Sequence, residues 1–345
     1  MPSRAAGDAS LESKSIDDRV LAARSVFQKS ASMEFFTVSA LNGLIYGLLL
    51  FTVSAGLTLI FGMMGVINFA HASFYMLGAY FAYSLSGLVG FGWAILLSPC
   101  LVALIGIVVE RFMLRRVHAY GHAHEVLLTF GLAFVFEELI KMFYGNYAVT
   151  FRPPPALRFS AFTLFGTDYP FYRLFVGMTA LMLFALLFYI LRRTRVGIVV
   201  RAAVRLPAMV GALGHNVPVV FLSVFGLGAW MAGLAGAVGG ALLTTNPNMA
   251  LELGVIVFVV VVVGGLGSLE GALIASLLIG LLTSFSVGLD FSIADLARLI
   301  GLGSTAADQG GLLTTRLSTF SAAMPVLVML VVLLVRPAGL MGDRN

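Results

Sequence analysis

The sequence has little charge and almost no lysine or cysteine. Only 11% of its 345 residues are Asp, Glu, Lys or Arg, and just three of them are lysines. Cys100 is the only cysteine and lies in an apolar run, which excludes an intrachain disulfide, a zinc cluster and a thiol pair. The chain therefore has few of the groups that enzymes use for chemistry.

Several catalytic and cofactor-binding motifs are also missing. The sequence contains no Gly-x-x-x-x-Gly-Lys-Ser/Thr phosphate loop, so the chain does not bind ATP by that route. It has no Gly-x-Ser-x-Gly elbow and no His/Glu metal spacing on one predicted helix. We therefore predict that the chain is not itself an enzyme and that it uses neither a metal nor another cofactor.

What the sequence does have is hydrophobicity. It is 60% hydrophobic with a mean hydropathy of +1.01, which excludes an ordinary soluble domain. The net charge of +5 comes from basic residues near the ends of apolar runs, so it indicates orientation in a lipid bilayer rather than binding to nucleic acid. The first 34 residues lack an apolar core, which argues against a cleaved signal peptide, and we predict residues 1–35 to be an N-terminal tail, either loose or a surface-lying helix.

The apolar runs predict an all-α polytopic membrane protein with about eight or nine transmembrane helices, some of them interrupted. A spanning helix requires about 20 apolar residues. The valine-rich run at 255–263 has the composition of a buried strand, but a lone strand in lipid would leave its backbone unpaired, so we predict a helix. The spans form one domain over residues 36–340, followed by a tail at 341–345. They cover approximately 36–59, 66–88, 91–110, 126–144, 171–191, 217–242, 255–263, a run ending near 288, and 321–335.

The basic residues of the loops predict which loops lie in the cytoplasm. Residues 192–216 carry five arginines and no acidic residue, and residues 111–125 carry three arginines and three histidines. Short loops rich in Lys and Arg remain cytoplasmic. By alternation the loop 145–170 faces outward, and nine full spans place the N-terminus outside. If the segment near 62–71 is re-entrant instead, the number of spans falls and the N-terminal tail lies inside.

The loop 192–216 contains a short predicted helix. Pro207 suits the first helical turn, and Gly214 suits the position just past the last one. The residues between them, Ala208 to Leu213, are small and apolar, which favours insertion into the groove of a partner over contact with water. The alternative is an ordinary cytoplasmic loop with a stub of surface helix.

Two glycine-containing breaks interrupt the apolar runs, one in each half of the sequence. In the first, Gly62 and Gly65 precede Asn68 and His71, and the second is GGLGSLEG at residues 264–271. Paired interruptions are typical of the central pathway of a transporter, because freed backbone groups need protein or a water-filled cavity beside them. The alternative for the first break is a tight cytoplasmic turn with its polar side chains satisfied locally. The predicted pathway residues are Asn68, His71, Gly65, Gly264 and Gly267.

Glu137 and Lys141 are four residues apart on the fourth predicted span and therefore share a face of the helix. A lone charge in the middle of a bilayer costs roughly 2.5–3.5 kcal/mol. We predict an ion pair inside the membrane, with a role in the pathway as the alternative. The histidines of the cytoplasmic loops are predicted to be solvated rather than to bind a metal; they are His118, His122, His124 and His215.

Residues 56–80, GLTLIFGMMGVINFAHASFYMLGAY, closely resemble the signature of the permeases of branched-chain amino-acid ABC importers, the Liv H-type subunit. The resemblance continues through Arg201-Ala202, residues 213–216, residues 262–271 and residues 336–340, and it covers about residues 40–340. It implies the ABC importer permease fold, in the inner membrane of a bacterial cell. The implied cargo is branched-chain or related small amino acids, with urea, short amides or aromatic acids as alternatives.

The resemblance also implies partners. They are a second, similar permease, two ATP-binding subunits and a periplasmic substrate-binding protein. In such permeases the cytoplasmic loop contacts the ATPase, so the loop 192–216 is expected to be the coupling element. The residues expected to make this contact are Arg201, Ala202, Ala208, Gly211, Leu213 and Gly214.

The sequence departs from the family pattern at three places. Leu206-Pro207 stands where an acidic residue or Asn is usual, Ala72 stands where Gly is usual, and residues 289–320 look longer than the typical connection. The first departure bears on the contact with the ATPase. Two rival functions stay open: a self-contained channel or ion-driven carrier, which needs titratable groups along its pathway, and a membrane-embedded enzyme, for which the sequence offers no catalytic constellation.

Overall fold

The computed structural model describes residues 4–164, 166–288 and 316–342. Most of the described residues are helical, and one two-stranded antiparallel hairpin is present as well. The prediction of an all-α polytopic membrane protein is confirmed in this sense. The long predicted connection at 289–320 lies outside the described residues except for its last five positions.

The helices are numbered in chain order, leaving out single turns. They are α1 (Arg4–Met64), α2 (His71–Val89), α3 (Phe91–Val109), α4 (His122–Tyr144), α5 (Phe171–Arg193), α6 (Arg195–Arg205), α7 (Pro207–Ala212), α8 (Val217–Gly239), α9 (Met249–Gly264), α10 (Leu269–Gly288) and α11 (Met324–Val335). The hairpin between α4 and α5 consists of β1 (Ser160–Leu164) and β2 (Thr167–Pro170). Three short helical segments continue α3: the π-helical Glu110–Leu114, the α-helical Arg115–Val117 and the 3₁₀ turn His118–Tyr120. A 3₁₀ turn, Pro155–Leu157, precedes the hairpin, and a 3₁₀ segment, Leu317–Ala323, leads into α11.

Six helices in the described ranges are long and apolar enough to cross a membrane. They are α1 from Met33, α3 with its continuation to Tyr120, α5, α8, α10, and α11 from Ser318. The other long helices are α2 with 19 residues, α4 with 23 and α9 with 16. Together these nine agree with the predicted eight or nine spans.

Three spans differ in detail from the prediction. The valine-rich run is helical, as expected, but its helix begins earlier, at Met249. The second span begins at His71 rather than near residue 66, because residues 65–70 are not helical. The first helix extends back to Arg4, so no helix break marks the predicted tail boundary near residue 35.

Small residues let the long helices approach each other closely. A methyl group on Gly47 of α1 would lie 2.8 Å from the carbonyl oxygen of Ser276 in α10. On α8, a methyl on Gly228 would lie 2.9 Å from the carbonyl oxygen of Gly56, and one on Gly240 would lie 2.8 Å from Cβ of Ala79. The apolar core therefore forms where α1, α2, α8 and α10 meet.

The loops fall at two ends of the bundle. Arg115 donates from Nη2 to the carbonyl oxygen of Pro218 at 2.9 Å, which joins the loop 111–125 to the start of α8, just after the loop 192–216. We call this the arginine end. The hydroxyl of Thr167 donates to the carboxylate of Glu34, and the amide of Val149 donates to Thr245, so the loop 145–170 and the span-forming start of α1 share the opposite, hairpin end.

Candidate functional site

The first glycine break sends the chain back alongside α1. Gly65 has φ +67°, a left-handed conformation that glycine adopts without strain, and the chain reverses there. His71, the first residue of α2, then brings its Nε2 to 3.0 Å from the carbonyl oxygen of Val53. Val53 precedes the end of α1 by eleven residues, about 16 Å at 1.5 Å per residue. Residues 65–70, which we call the re-entrant segment, therefore run back into the bundle, and α2 begins deep within it. Because α2 then continues to the hairpin end, where Tyr83 meets Phe151, the number of spans does not fall.

Local and long-range hydrogen bonds hold the re-entrant segment. The Asn68 side-chain oxygen accepts from the amide of Ala70 at 3.1 Å, and Val66 and Ala70 are fully buried. Thr129 of α4 accepts from the amide of Phe69 at 3.3 Å and donates to the carbonyl oxygen of Val126 at 3.1 Å. The hydroxyl of Thr129 therefore fastens the segment to α4, a role that the sequence did not reveal.

A cavity of about 220 Å³ lies between the re-entrant segment, the start of α2, α4 and α9. Most of its lining is apolar, and aromatic rings contribute much of it. Phe69 stacks on Phe258 with a centroid distance of 6.0 Å and meets Phe130 edge to face at 6.2 Å. This volume is below the range of about 300–1,000 Å³ typical of drug-sized ligands, so the cavity fits a small solute.

Four polar side chains interrupt the apolar lining: Asn68, His71, Ser73 and Glu137. Each has a buried polar atom without a hydrogen-bond partner among the described residues, namely Asn68 Nδ2, His71 Nδ1, Ser73 Oγ and Glu137 Oε2. A buried polar atom left unpaired costs about 1–3 kcal/mol. Four residues that line one cavity therefore each carry a polar atom that is buried within the protein and has no described partner.

The two ring nitrogens of His71 have different hydrogen-bonding roles. A carbonyl oxygen only accepts hydrogen bonds, so the proton lies on Nε2, which donates to Val53. Nδ1 is then a potential acceptor, buried and without a described partner. The predicted pair Asn68 and His71 thus lines one cavity, where the amide of Asn68 can donate and the imidazole of His71 can accept.

Glu137 and Lys141 form an ion pair, with 2.7 Å between Glu137 Oε1 and Lys141 Nζ. Lys141 also binds Glu138 at 2.8 Å, and the Glu138 side chain is 69% exposed whereas that of Glu137 is 6% exposed. Only Glu137 of these three residues lines the cavity. The sequence left an ion pair and a role in the pathway as alternatives for Glu137 and Lys141. In the structure the carboxylate of Glu137 takes part in the ion pair and Glu137 also borders the cavity.

The cavity opens on the outer surface of the chain. Three of its lining residues are substantially exposed, namely Phe69 at 41%, Phe130 at 46% and Val255 at 56%. An exposed aromatic and aliphatic rim of this kind marks a surface that contacts lipid or another protein. One side of the cavity is therefore left open by the described residues of this chain.

The second glycine break lies away from this cavity, at the arginine end. Gly264 packs on the backbone of Gly271, and a methyl on Gly267 would lie 3.2 Å from Cα of Gly62. Gly267 borders a different cavity of about 330 Å³, beside an ion pair between Arg192 and Glu270. Gly65 does not line the Asn68 cavity either. Of the five predicted pathway residues, the structure brings only Asn68 and His71 together.

The predicted short helix in the loop 192–216 is present as α7, with Pro207 in its first turn and Gly214 at φ +88° beyond it. Val210 anchors it and is 3% exposed, whereas Met209 is 60% and Leu213 is 74% exposed. Preceding it, α6 begins after Thr194, whose hydroxyl accepts from the amide of Gly197 at 3.3 Å. The result is a small helix that turns an apolar face outward at the arginine end.

The remaining predicted contact residues also lie at this end. Arg201 donates to the carbonyl oxygen of Leu191 at the end of α5, and Ala208 and Gly211 are exposed. Ala202 is half-buried in α6. The predicted coupling residues therefore form one continuous stretch from α6 to the end of α7.

The loop histidines are not all merely solvated. His118 and His122 each bind the buried carboxylate of Glu125, the latter at 3.1 Å, although 55% and 76% of their side chains are exposed. No group of three or more His, Cys, Asp or Glu side chains in the described ranges is arranged to hold a metal ion. The bonds to Glu125 instead join the turn after α3 to the first turn of α4.

Comparison with known proteins gives one consistent family. The family described as branched-chain amino acid transport system / permease component matches residues 39–335. The chain is 27% identical over 270 residues to the high-affinity branched-chain amino acid transport system permease protein LivH of Escherichia coli K12, covering 73% of this chain and 86% of that protein. No solved structure matches the chain significantly.

Two further relatives have similar names. The permease protein BraD of Pseudomonas aeruginosa is 26% identical over 258 residues, which covers 71% of this chain and 84% of BraD. A probable LivH permease of Methanocaldococcus jannaschii is 27% identical over 253 residues, which covers 70% of this chain and 78% of the relative. The similarity thus covers at least 70% of this chain in each case.

Proposed function

Since the chain belongs to the family of permease components of branched-chain amino acid transport systems, we propose that it is the transmembrane permease subunit of an ABC importer. It moves branched-chain amino acids, or related small amino acids and amides, across the inner membrane of a bacterial cell. Separate subunits hydrolyse the ATP that drives transport. Urea, short amides or aromatic acids are the alternative cargo of the same machine.

One observation carries this proposal: the cavity at the re-entrant segment, whose mostly apolar lining includes the polar side chains of Asn68, His71, Ser73 and Glu137. A branched-chain amino acid has a zwitterionic head and an apolar side chain, and the cavity has partners for both parts. Non-helical backbone inside a membrane is tolerated where it borders such a cavity. A few polar partners suffice, because a permease must release its cargo as well as bind it.

A second, similar permease is proposed to complete the pathway. The cavity opens between Phe69, Phe130 and Val255, which are exposed in the single chain. A homologous subunit placed against this rim would cover the apolar side chains and provide the missing wall. This arrangement would put the pathway between the two permeases, with the substrate-binding protein at the hairpin end.

The outward face of α7 is the proposed contact with an ATP-binding subunit. Leu206, Met209 and Leu213 are between 57% and 74% exposed, although they are large and apolar. At the arginine end they would meet water unless a partner covered them. Val210 is buried, so a displacement of α7 by the ATP-binding subunit would be transmitted to the part of this chain on which Val210 packs.

Reconstitution of the whole assembly tests this function. The permease, its homologous partner, two ATP-binding subunits and the binding protein are placed in liposomes, and uptake of radiolabelled leucine, urea and short amides is measured. We expect leucine uptake that requires ATP and the binding protein. Leucine flux that continues unchanged without ATP would instead indicate a channel or an ion-driven carrier.

Gly211→Arg tests the docking face separately. An added Cβ at Gly211 would meet no atom within 4 Å, so the change should leave the fold intact while placing a charge on the apolar face. We expect substrate-stimulated ATP hydrolysis to fall to the basal rate. Ala119→Arg, an exposed site in the other basic loop, is the matched control and should hydrolyse normally. Normal stimulation in the Gly211 variant would contradict the docking.

A further inference from the structure

A second cavity, of about 330 Å³, lies at the arginine end, between the ends of α1 and α5, the middle of α6 and the start of α10. Its charged lining residues are Arg192, Arg201 and Glu270. Two guanidinium groups and one carboxylate leave an excess of one positive charge. The volume lies within the range of about 300–1,000 Å³ typical of small-molecule sites, so the cavity suits a compact group with one negative charge.

Two contacts hold Arg192 at this cavity. Its guanidinium lies over the ring of Phe188, with 4.5 Å between Cζ and the ring centroid, and its Nη2 donates to a carboxylate oxygen of Glu270. An arginine side chain has five N–H donors, so the bond to Glu270 leaves most of them over. The Arg192 side chain is 58% exposed, and its remaining donors are therefore accessible to a ligand.

Arg201 is the positive charge that no carboxylate in the described ranges neutralises. Its Nη1 donates to the carbonyl oxygen of Leu191, the residue before Arg192, so both guanidinium groups lie at the end of α5. Arg201 is exposed. A planar guanidinium with free N–H groups matches the oxygens of a phosphate, which it binds through two parallel hydrogen bonds.

The cavity lies where a membrane-spanning helix ends. α5 is long and apolar enough to cross a bilayer, and its residues Leu191 and Arg192 line the cavity. Leu181, Leu186 and Tyr189 of the same helix are between 48% and 60% exposed, so its outer surface is apolar up to the cavity. A tyrosine near the end of a span is typical of the membrane–water interface. The cavity is therefore at the level of the lipid phosphates.

The start of α6 has the same interfacial character. Arg195 and Arg201 are exposed on this helix, and so are Val196 at 62% and Ile198 at 60%. A helix that exposes both arginines and aliphatic side chains is typical of the boundary between headgroups and acyl chains. A free phosphate would use the arginines alone, whereas a phospholipid would use both kinds of surface.

We propose that this cavity binds the headgroup of an anionic phospholipid. Arg201 donates to oxygens of the phosphodiester, and Arg192 adds a further donor beside its bond to Glu270. Basic pockets between membrane helices suit such headgroups. The excess of one positive charge matches a lipid with a single negative charge, such as phosphatidylglycerol, whose acyl chains lie along α5. The site takes a lipid and does not depend on which solute the permease transports.

Native mass spectrometry of the full-length chain in detergent micelles counts bound lipids directly. The chain is titrated with phosphatidylglycerol, phosphatidylethanolamine or phosphatidylcholine of the same acyl chains, and the dissociation constant of the first bound lipid is measured. All three lipids contain a phosphate, but only phosphatidylglycerol has a net negative charge. We expect phosphatidylglycerol to bind about tenfold more tightly than the other two, and an excess of inorganic phosphate not to displace it.

Arg201→Gln and Arg193→Gln form a matched pair. Each removes one exposed arginine near the end of α5, but only Arg201 lines the cavity. We expect Arg201→Gln to raise the dissociation constant of the first phosphatidylglycerol about tenfold, the equivalent of about 1.4 kcal/mol, and Arg193→Gln to raise it less than about twofold. Arg201→Lys keeps the charge but not the planar pair of donors. It should raise the constant severalfold, and it serves if the Gln variant does not fold.

Glu270→Gln should have the opposite effect. The carboxylate of Glu270 accepts from Arg192 and repels a phosphate in the same cavity. Its removal frees the guanidinium of Arg192, so the first phosphatidylglycerol should bind severalfold more tightly. If the ion pair were only structural, the same change would loosen the ends of α5 and α10 and weaken lipid binding.

The results that would overturn the proposal are distinct. Equal dissociation constants in the parent and in a folded Arg201→Gln or Arg201→Lys chain would remove the role of Arg201, and equal affinity for phosphatidylethanolamine would exclude a site for anionic lipid. Displacement by inorganic phosphate would show a site for a free anion instead. An equal loss in Arg193→Gln, or weaker binding in Glu270→Gln, would indicate a diffuse attraction of lipid to the arginine end and no site in the cavity.

Discussion

The two glycine breaks look alike in the sequence but differ in the structure. The first break, at residues 62–72, places the polar residues Asn68 and His71 in the lining of a cavity. The second, at residues 264–271, brings backbone against backbone, and a methyl on Gly264 would lie 2.6 Å from the amide nitrogen of Ala272. Glycines reverse the chain at both breaks, with positive φ at Gly65, Gly265 and Gly267, but Gly264 of the second break also packs directly on backbone, so a break alone does not identify a pathway.

The first difference to test is packing, where the largest effect is expected. Gly264→Ala places a methyl against the backbone of Gly271 and Ala272, so α9 and α10 must separate. Overpacking typically costs about 1–3 kcal/mol, a large part of a stability of roughly 5–15 kcal/mol. We expect a clearly lower midpoint of thermal unfolding, measured by monodisperse elution after heating.

Gly87→Ala in α2 is the control for this change. Nothing lies within 4 Å of a methyl group at Gly87, and alanine favours a helix by up to about 1 kcal/mol. The control should be as stable as the parent or slightly more stable. Equal midpoints of thermal unfolding for Gly264→Ala and Gly87→Ala would mean that close packing at the second break does not contribute to stability.

Loss of the hydrogen bond from Phe69 to Thr129, which we call the strap on the first break, should have an intermediate effect, on transport rather than on stability. Thr129→Val removes the hydroxyl that accepts from Phe69 at 3.3 Å. The loss of one hydrogen bond of about 1 kcal/mol should reduce leucine uptake by the assembly roughly fivefold. Thr179→Val is the control, since its hydroxyl bonds only within its own helix, to Phe175 at 2.8 Å; equal uptake in both would exclude a special role for the strap.

Removal of one unpaired hydroxyl should have the smallest effect. Ser73 and Ser98 both carry a buried hydroxyl without a described partner, but only Ser73 lines the cavity. Ser73→Ala should lower leucine uptake about twofold, the equivalent of about 0.4 kcal/mol, with unchanged thermal stability. Ser98→Ala should leave leucine uptake unchanged. A similar loss of uptake in both variants would mean that a position in the cavity lining does not make the hydroxyl of Ser73 more important for transport than that of Ser98.

Much of the fold was predictable because apolar runs in a membrane protein are long and separated by charged loops. For the valine-rich run 255–263 the lipid environment decides between strand and helix, because a lone strand in lipid would leave its backbone unpaired. The structure has the helix Met249–Gly264 there. The start of α2 was predicted five residues too early, near 66 instead of His71. Hydropathy cannot detect that error, because residues 66 and 70 are apolar and buried but not helical.

The candidate site was predictable only in its local part. Asn68 and His71 stood out because they are polar residues beside glycines. Ser73 and Thr129 did not stand out, because a hydroxyl in an apolar run carries no spacing signal, and Phe130 and Phe258 look like ordinary core residues. Contacts across 60 residues, such as Thr129 with Phe69, appear only after the helices pack.

Uptake by Asn68→Leu tests the central claim, that the first break borders the pathway and is not a plain turn. Leucine has the same branching at Cγ as asparagine but is larger and removes the donor that lacks a partner. The account predicts that the variant inserts and binds its ATPase normally, yet takes up leucine far more slowly than the parent. Uptake at the parental rate and expression level would contradict it and return the motif to a structural turn.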